Sequence, residues 1–346
     1  MLSANLDWLL TGPSWIRYRC MLDLLDASPL NEHVKDAFES MRQDTQIQQV
    51  INDVGMWDLI TLKRHNDASH PLHKLAFLAE LGFSADQPEI KPIIANIIHH
   101  TGSDDPFLVL SMYPQKFGGS GHDEWLWALC DTPLIAYSLL KIKAVTTHTI
   151  SQKYQQTIDM VRENGWGCAV SPCIPRFRGP GRKDDSCPFA TLLMLKLLSV
   201  LDQDLYSQPI NYGVHALLDL WEHSQSRHPY LFKMGNDFRK LKVPFVWYDI
   251  LHVADVLSHF SCAYGDDRFI EILNTLQAKA DPSGRFASES IWTKWNGWEF
   301  CQKKEPSRWV TLCVLRIFKR VGKWQPNAPH AAQPVSSGHR MPVPPP

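Results

Sequence analysis

Six apolar helix starts recur along this chain near Pro13, Pro71, Pro133, Pro188, Trp247 and Trp309. Successive starts are about sixty residues apart, and a fixed long period signals an array of one supersecondary unit. The six helices read SWIRYRCMLDLLD, HPLHKLAFLAELG, TPLIAYSLLKI, CPFATLLMLKLLSVL, WYDILHVADVLSHF and RWVTLCVLRIFKRV. Each is apolar around most of its circumference, as expected of a helix covered on several sides. A proline in the first turn is tolerated because that N–H has no intrahelical acceptor. The stretches near 30–50, 87–100, 148–163, 208–225 and 267–280 carry one apolar stripe opposite a polar face, the pattern of an outer helix.

The expected fold is therefore all-α: an α/α toroid of about six helical hairpins, with inner and outer helix rings. Turns within a hairpin are short. Connections between hairpins (101–131, 165–187, 227–246 and 281–307) are long, and each precedes an inner helix. All should emerge at one end of the array. Long ordered loops usually carry function. Most of the 13 tryptophans fall in these loops or in the first turn of an inner helix, which predicts an aromatic-lined mouth.

Composition narrows the function classes. The chain has 346 residues with a net charge near −1, which argues against nucleic-acid binding driven by phosphate attraction. Its N-terminus has no basic region followed by an apolar run, and no stretch has the length of a membrane span. A cytoplasmic setting is expected. Residues 1–324 are read as one toroid domain, and the proline-rich segment 325–346 as a disordered tail.

The stretches PSWIRYRCMLDLL and HPLHKLAFLAELGF, with the corners NGWG and SGRF, carry a resemblance. From Leu6 to Lys323 the chain resembles the terpenoid cyclase and protein prenyltransferase α/α-toroid superfamily, specifically bacterial prenyltransferase or squalene-oxidase repeat proteins. The resemblance implies a toroid holding an isoprenoid-like apolar ligand, with aromatic walls able to stabilise a cation. The superfamily's DxDD and DDxxD acid motifs are absent. The pairs Asp104–Asp105, Asp184–Asp185 and Asp266–Asp267 lack the spaced partner, and the zinc-binding Asp-x-Cys pattern at Asp249 has leucine at 251.

Several constellations could carry chemistry. Asp249 and His252, three apart, share a helix face and could work as an acid–base pair, and Asp249 with Asp184 or Asp185 could supply the two carboxylates of a carbohydrate-active enzyme. His70 and His73 have the same spacing, and His73 is a candidate for the ligand site. Arg176, Arg178 and Arg182 beside Gly179 and Gly181 suit an anionic head. The next loop adds Arg227, Lys233, Arg239, Lys240 and Lys242, while the acidic loop 101–131 should neighbour the first basic one. Trp166, Trp247 and Trp295 are candidate cavity walls. Cys168, Cys173 and Cys187 share one loop, with Cys130 and Cys301 in flanking loops, and are weak metal candidates; no cofactor is expected.

The expected function is binding, with or without transformation, of an isoprenoid-like ligand with an anionic head in a central aromatic cavity. A terpenoid cyclase-like or prenyltransferase-like enzyme is one form of this reading. The alternatives are a non-catalytic toroid that takes a peptide or partner protein through its mouth or tail, and an (α/α)6 carbohydrate-active enzyme.

Overall fold

A computed structural model describes residues 2–102, 105–179, 181–226 and 236–322. Asp104, Arg227, Lys233 and the tail 325–346 lie outside the described residues. The fold is mostly helical, with thirteen α-helices and one two-stranded sheet among the described residues. None of these helices is long and apolar enough to cross a membrane.

The six expected starts are all present: α2 (Ser14–Asp23), α5 (Pro71–Leu81), α7 (Thr132–Lys141), α9 (Pro188–Leu198), α11 (Ile250–Leu257) and α13 (Arg308–Arg320). Their caps explain where they begin. His70 Nδ1, Cys187 Sγ, Asp249 Oδ1 and Ser307 Oγ each accept a backbone N–H of the first turn, which satisfies donors that a helix end would otherwise strand. Every residue of α9 is buried, as its uniformly apolar sequence requires.

These helices are neighbours in chain order. α5 packs on α7, α7 on α9, α9 on α11, α11 on α13, and α13 on α2. Trp15 of α2 meets Phe77 of α5 with ring centroids 6.1 Å apart. The amphipathic helices pack outside them, α10 (Ser207–Glu222) on α9 and α12 (Asp267–Gln277) on α11. The remaining helices are α1 (Leu2–Leu10), α3 (Glu32–Arg42), α4 (Thr45–Gly55), α6 (Lys91–His99) and α8 (Thr147–Asp159).

Two local expectations need correction. The segment 30–50 is two helices, because Asp44 caps a fresh one: its Oδ1 accepts from Gln46 and Ile47. Loop 101–131 contains an antiparallel hairpin, β1 (Val109–Met112) with β2 (Asp123–Leu126). As the charge pattern suggested, this acidic loop neighbours the basic loop. The contact is made by backbone, since Arg178 N–H donates to the Phe117 carbonyl at 2.9 Å.

Candidate functional site

Three separate segments meet beside the first turns of α5, α7 and α9. The loop before α5 is fixed by two histidines. His70 Nε2 donates to the Ile60 carbonyl (3.1 Å), and His73 Nε2 donates to the His65 carbonyl (2.8 Å). Leu62 completes the layer by bonding the backbone of β1 at Leu110 and Met112. The strand-like run before α7 lies along the basic loop: Leu129 N–H donates to Ala169, and Ser171 N–H to Trp127. That pairing sets Cys130 and Asp131 against Cys168. Cys187 arrives with α9, anchored by its own N–H on the Trp166 carbonyl at 2.7 Å.

Asp131 immediately precedes α7, yet its carboxylate does not cap the helix. It turns to His65 instead, with both oxygens on Nδ1 at 2.8 and 3.0 Å. Asp131 is 2% exposed, whereas a third of the His65 side chain reaches open space. Burial alone would lower the His65 pKa, but the charge and hydrogen bond of Asp131 outweigh it and raise the ring to about 9.

The thiols of Cys130 and Cys187 lie 3.6 Å apart, and Cys130 also interacts with the thiol of Cys168. Hydrogen bonds to both neighbours, together with burial, push Cys130 well up. Cys187 moves the other way. The Cys130 thiol favours its thiolate most, burial opposes this, and the N–H of Ala190 and the charge of His65 add to it.

Two spaces open from this cluster. One, of about 270 Å³, has His65, Asp131 and Cys168 on its wall and Leu62, Met112, Tyr113, Phe117, Phe177 and Trp247 as apolar lining. The other is a groove of about 620 Å³ lined by Arg162, Arg178, Arg182 and Lys183 with Gly167, Gly179 and Gly181. Cys168, Phe177 and Arg178 line both. Arg162 is already committed to the carbonyls of Lys183 and Asp185.

The other expected site residues are distributed differently. Asp249 is buried as the cap of α11, bonded to Leu251 and His252 N–H, and its second oxygen has no protein partner. Burial raises its pKa to about 7, opposed by its hydrogen bonds from His252 and Leu251 and by Lys242. His252 donates from Nδ1 to the Trp247 carbonyl and stacks on Phe245; burial holds its pKa down to about 3. Asp184 is exposed. Asp185 lines a separate surface groove of about 690 Å³ with Glu163, His215 and Asp219, so these carboxylates do not join Asp249. Arg176 is exposed and Arg182 lines the basic groove, which leaves Arg178 as the only one of the three on both spaces.

Trp166 and Trp295 are staples rather than walls of open space. Both are buried, with Nε1 donating to Thr157 and Ala68 carbonyls. Trp295 belongs to an edge-to-face cluster with Phe77, Trp298, Phe300 and, through them, Trp15 and Trp309. Trp247 does line the apolar pocket, tilted against Phe189. His73 lines a small space between α5, α7, α9 and α13, apart from the two spaces described above. Cys173 is exposed, and Cys130 takes the place in the thiol cluster that the sequence spacing assigned to it.

Between α5, α7, α9 and α13, the described residues leave one small space. The space beside His73, Phe245 and Trp309 amounts to about 20 Å³, room for one water. Charges fill the rest. Lys196 lies 3.6 Å from Glu80 and 3.9 Å from Asp255, Arg316 bonds Glu80 at 3.0 Å, Arg320 reaches Asp255 at 3.3 Å, and the Tyr137 hydroxyl donates to Glu80. Burial would raise Glu80, but Lys196 and Arg316 hold it well below the usual carboxylate range. The sequence signal was present: Glu80, Lys196, Asp255 and Arg316 are charges inside otherwise apolar helices. Compared with known proteins, the chain matches no family model and no curated protein.

Proposed function

We propose that this chain is an α/α toroid that binds a small amphipathic ligand with an anionic head at its mouth. The toroid reading rests on the six inner helices contacting one another in sequence, with α13 returning to α2. The ligand reading rests on one observation: an apolar pocket and a basic groove share Cys168, Phe177 and Arg178. A chain of apolar atoms fits against Met112, Tyr113, Phe117 and Trp247, while Arg178, Arg182 and Lys183 take a phosphate or carboxylate. An isoprenoid with a diphosphate head meets both requirements. The charge-filled centre favours binding at the mouth over a reaction inside the ring, and any transformation would take place beside His65 and Cys168.

The test is calorimetric titration of the full chain with farnesyl diphosphate, with farnesol and inorganic diphosphate as separate arms. The diphosphate should bind more tightly than either fragment. Arg178→Ala should weaken it about 10- to 100-fold, the range for one lost hydrogen bond to a charged group. Equal affinity in the variant, or no binding in the wild type, refutes the reading.

A further inference from the structure

We propose that Cys130 and Cys187 are a redox pair that a hydroperoxide converts to a disulfide, with Cys168 as the thiol that meets the oxidant. The proposal goes beyond the ligand reading and stands independently of it. The chain has eight cysteines, and the sulfurs of Cys130 and Cys187 lie 3.6 Å apart although the residues are 57 apart in sequence. Separate elements hold them. Leu129 N–H donates to the Ala169 carbonyl beside Cys130, and Cys187 N–H donates to the Trp166 carbonyl. A disulfide has an S–S bond of about 2 Å, so closing the pair takes a movement of about 1.6 Å, the scale of a side-chain rotation. The cysteines do not gather round a point as metal ligands do. Among the described residues, the three donors close enough to share an ion are those of Asp219, Glu222 and His223.

Both members of the pair are buried, so an oxidant in solution does not meet them first. Cys168 is half-buried, lines both the apolar pocket and the basic groove, and its thiol interacts with that of Cys130. Cys187 caps α9, where its sulfur accepts the Ala190 N–H at 3.5 Å, and a helix start favours the thiolate. A hydroperoxide ROOH gives its terminal oxygen to the Cys168 sulfur, which becomes a sulfenic acid, and the alcohol ROH leaves. The Cys130 sulfur then displaces the sulfenic hydroxyl, which departs as water with the Cys130 proton, and an S–S bond joins Cys130 to Cys168. The Cys187 thiolate attacks the Cys130 sulfur next and releases Cys168, which regains the proton that Cys187 gave up. In sum, two thiols and ROOH become one disulfide, ROH and water. The two sulfurs lose two electrons, and the peroxide bond takes them.

The experiment treats the full chain, folded and fully reduced, with stoichiometric hydrogen peroxide. Samples are quenched in acid, alkylated under denaturing conditions and mapped by peptide mass spectrometry. We expect a Cys130–Cys187 cross-linked peptide as the main product, formed before the exposed Cys173 and Cys262 are oxidised. Dithiothreitol should reverse it. In Cys168→Ala the cross-link should form at least about tenfold more slowly, because the accessible thiol is gone. In Cys130→Ser, dimedone should trap a sulfenic acid at Cys168. Cys173→Ser should match the wild type. Far-UV circular dichroism identifies any variant that fails to fold, and the wild-type peptide map decides the pair on its own. Three outcomes overturn the proposal. One is Cys130 and Cys187 still alkylated after Cys173 and Cys262 have been oxidised. A second is a cross-link from Cys168 to Cys173 in place of the buried pair. The third is the wild-type rate in folded Cys168→Ala.

Discussion

Glu80 and Asp131 are both buried carboxylates, one in α5 and one just before α7, and their surroundings differ in kind. Glu80, near the end of α5, meets Lys196, Arg316 and the Tyr137 hydroxyl, and the space left beside it is only about 20 Å³. Asp131, just before α7, meets one partner, His65, which faces open volume of about 270 Å³ with thiols around it. Both carboxylates are removed from bulk solvent. In the first the charges are saturated by one another across α5, α9, α11 and α13. In the second, His65, Asp131 and Cys168 line open volume. Burial of charge alone therefore does not distinguish the two; adjoining volume does.

The largest test of this contrast is Glu80→Ala. It removes the shared partner of Lys196 and Arg316, which keep only Asp255 at 3.9 Å and Asp23 at 3.5 Å, and breaking a buried pair from one side costs about 3–5 kcal/mol. Chemical denaturation should show that loss, and any folded fraction should retain whatever affinity the proposed ligand site at Arg178 has. A cost within about 0.5 kcal/mol, the range of an ordinary surface change, would mean the network is not a structural tie.

Asp249 gives the next effect, through pH. Its folded pKa of about 7 lies above the unfolded value of about 3.9, so the native state holds the proton more tightly. The stability this contributes is complete below about pH 4 and is lost as pH rises through 7. Asp249→Asn keeps the oxygen that caps α11 and removes the ionisation. The variant should exceed the wild type by about 2–4 kcal/mol at pH 8, with no advantage near pH 4. Parallel stability curves from pH 4 to 8 would contradict this.

Much of the scaffold was legible, because helix starts are local chemistry. Pro71, Pro133 and Pro188 at first turns, with caps at His70, Cys187, Asp249 and Ser307, mark where the apolar helices begin. The hairpin was not, since Val109–Met112 and Asp123–Leu126 are four-residue strands with no strong alternation. The site was legible only in parts. Arg178, Trp247, Cys168 and Cys187 stood out from their own loops. The His65–Asp131 pair spans 66 residues and depends on the backbone layer that Leu62 shares with β1, which no local spacing encodes. Asp249 misled for a physical reason: a carboxylate at a helix start is favoured by capping alone.

The smallest expected effect separates two arginines of the same loop. Arg176 is exposed, and its carbonyl packs against Gly118, whose φ of +89° leaves no room for a Cβ there. Its role is carried by backbone, which any side chain supplies. Arg178, two residues on, lines both the apolar pocket and the basic groove. Arg176→Ala should therefore change farnesyl diphosphate affinity by less than about threefold, against the 10- to 100-fold loss expected for Arg178→Ala. Equal losses in the two variants, measured by the same titration, would show that the loop acts as diffuse positive charge. The binding geometry would then belong to the electrostatic field rather than to the shared wall at Arg178.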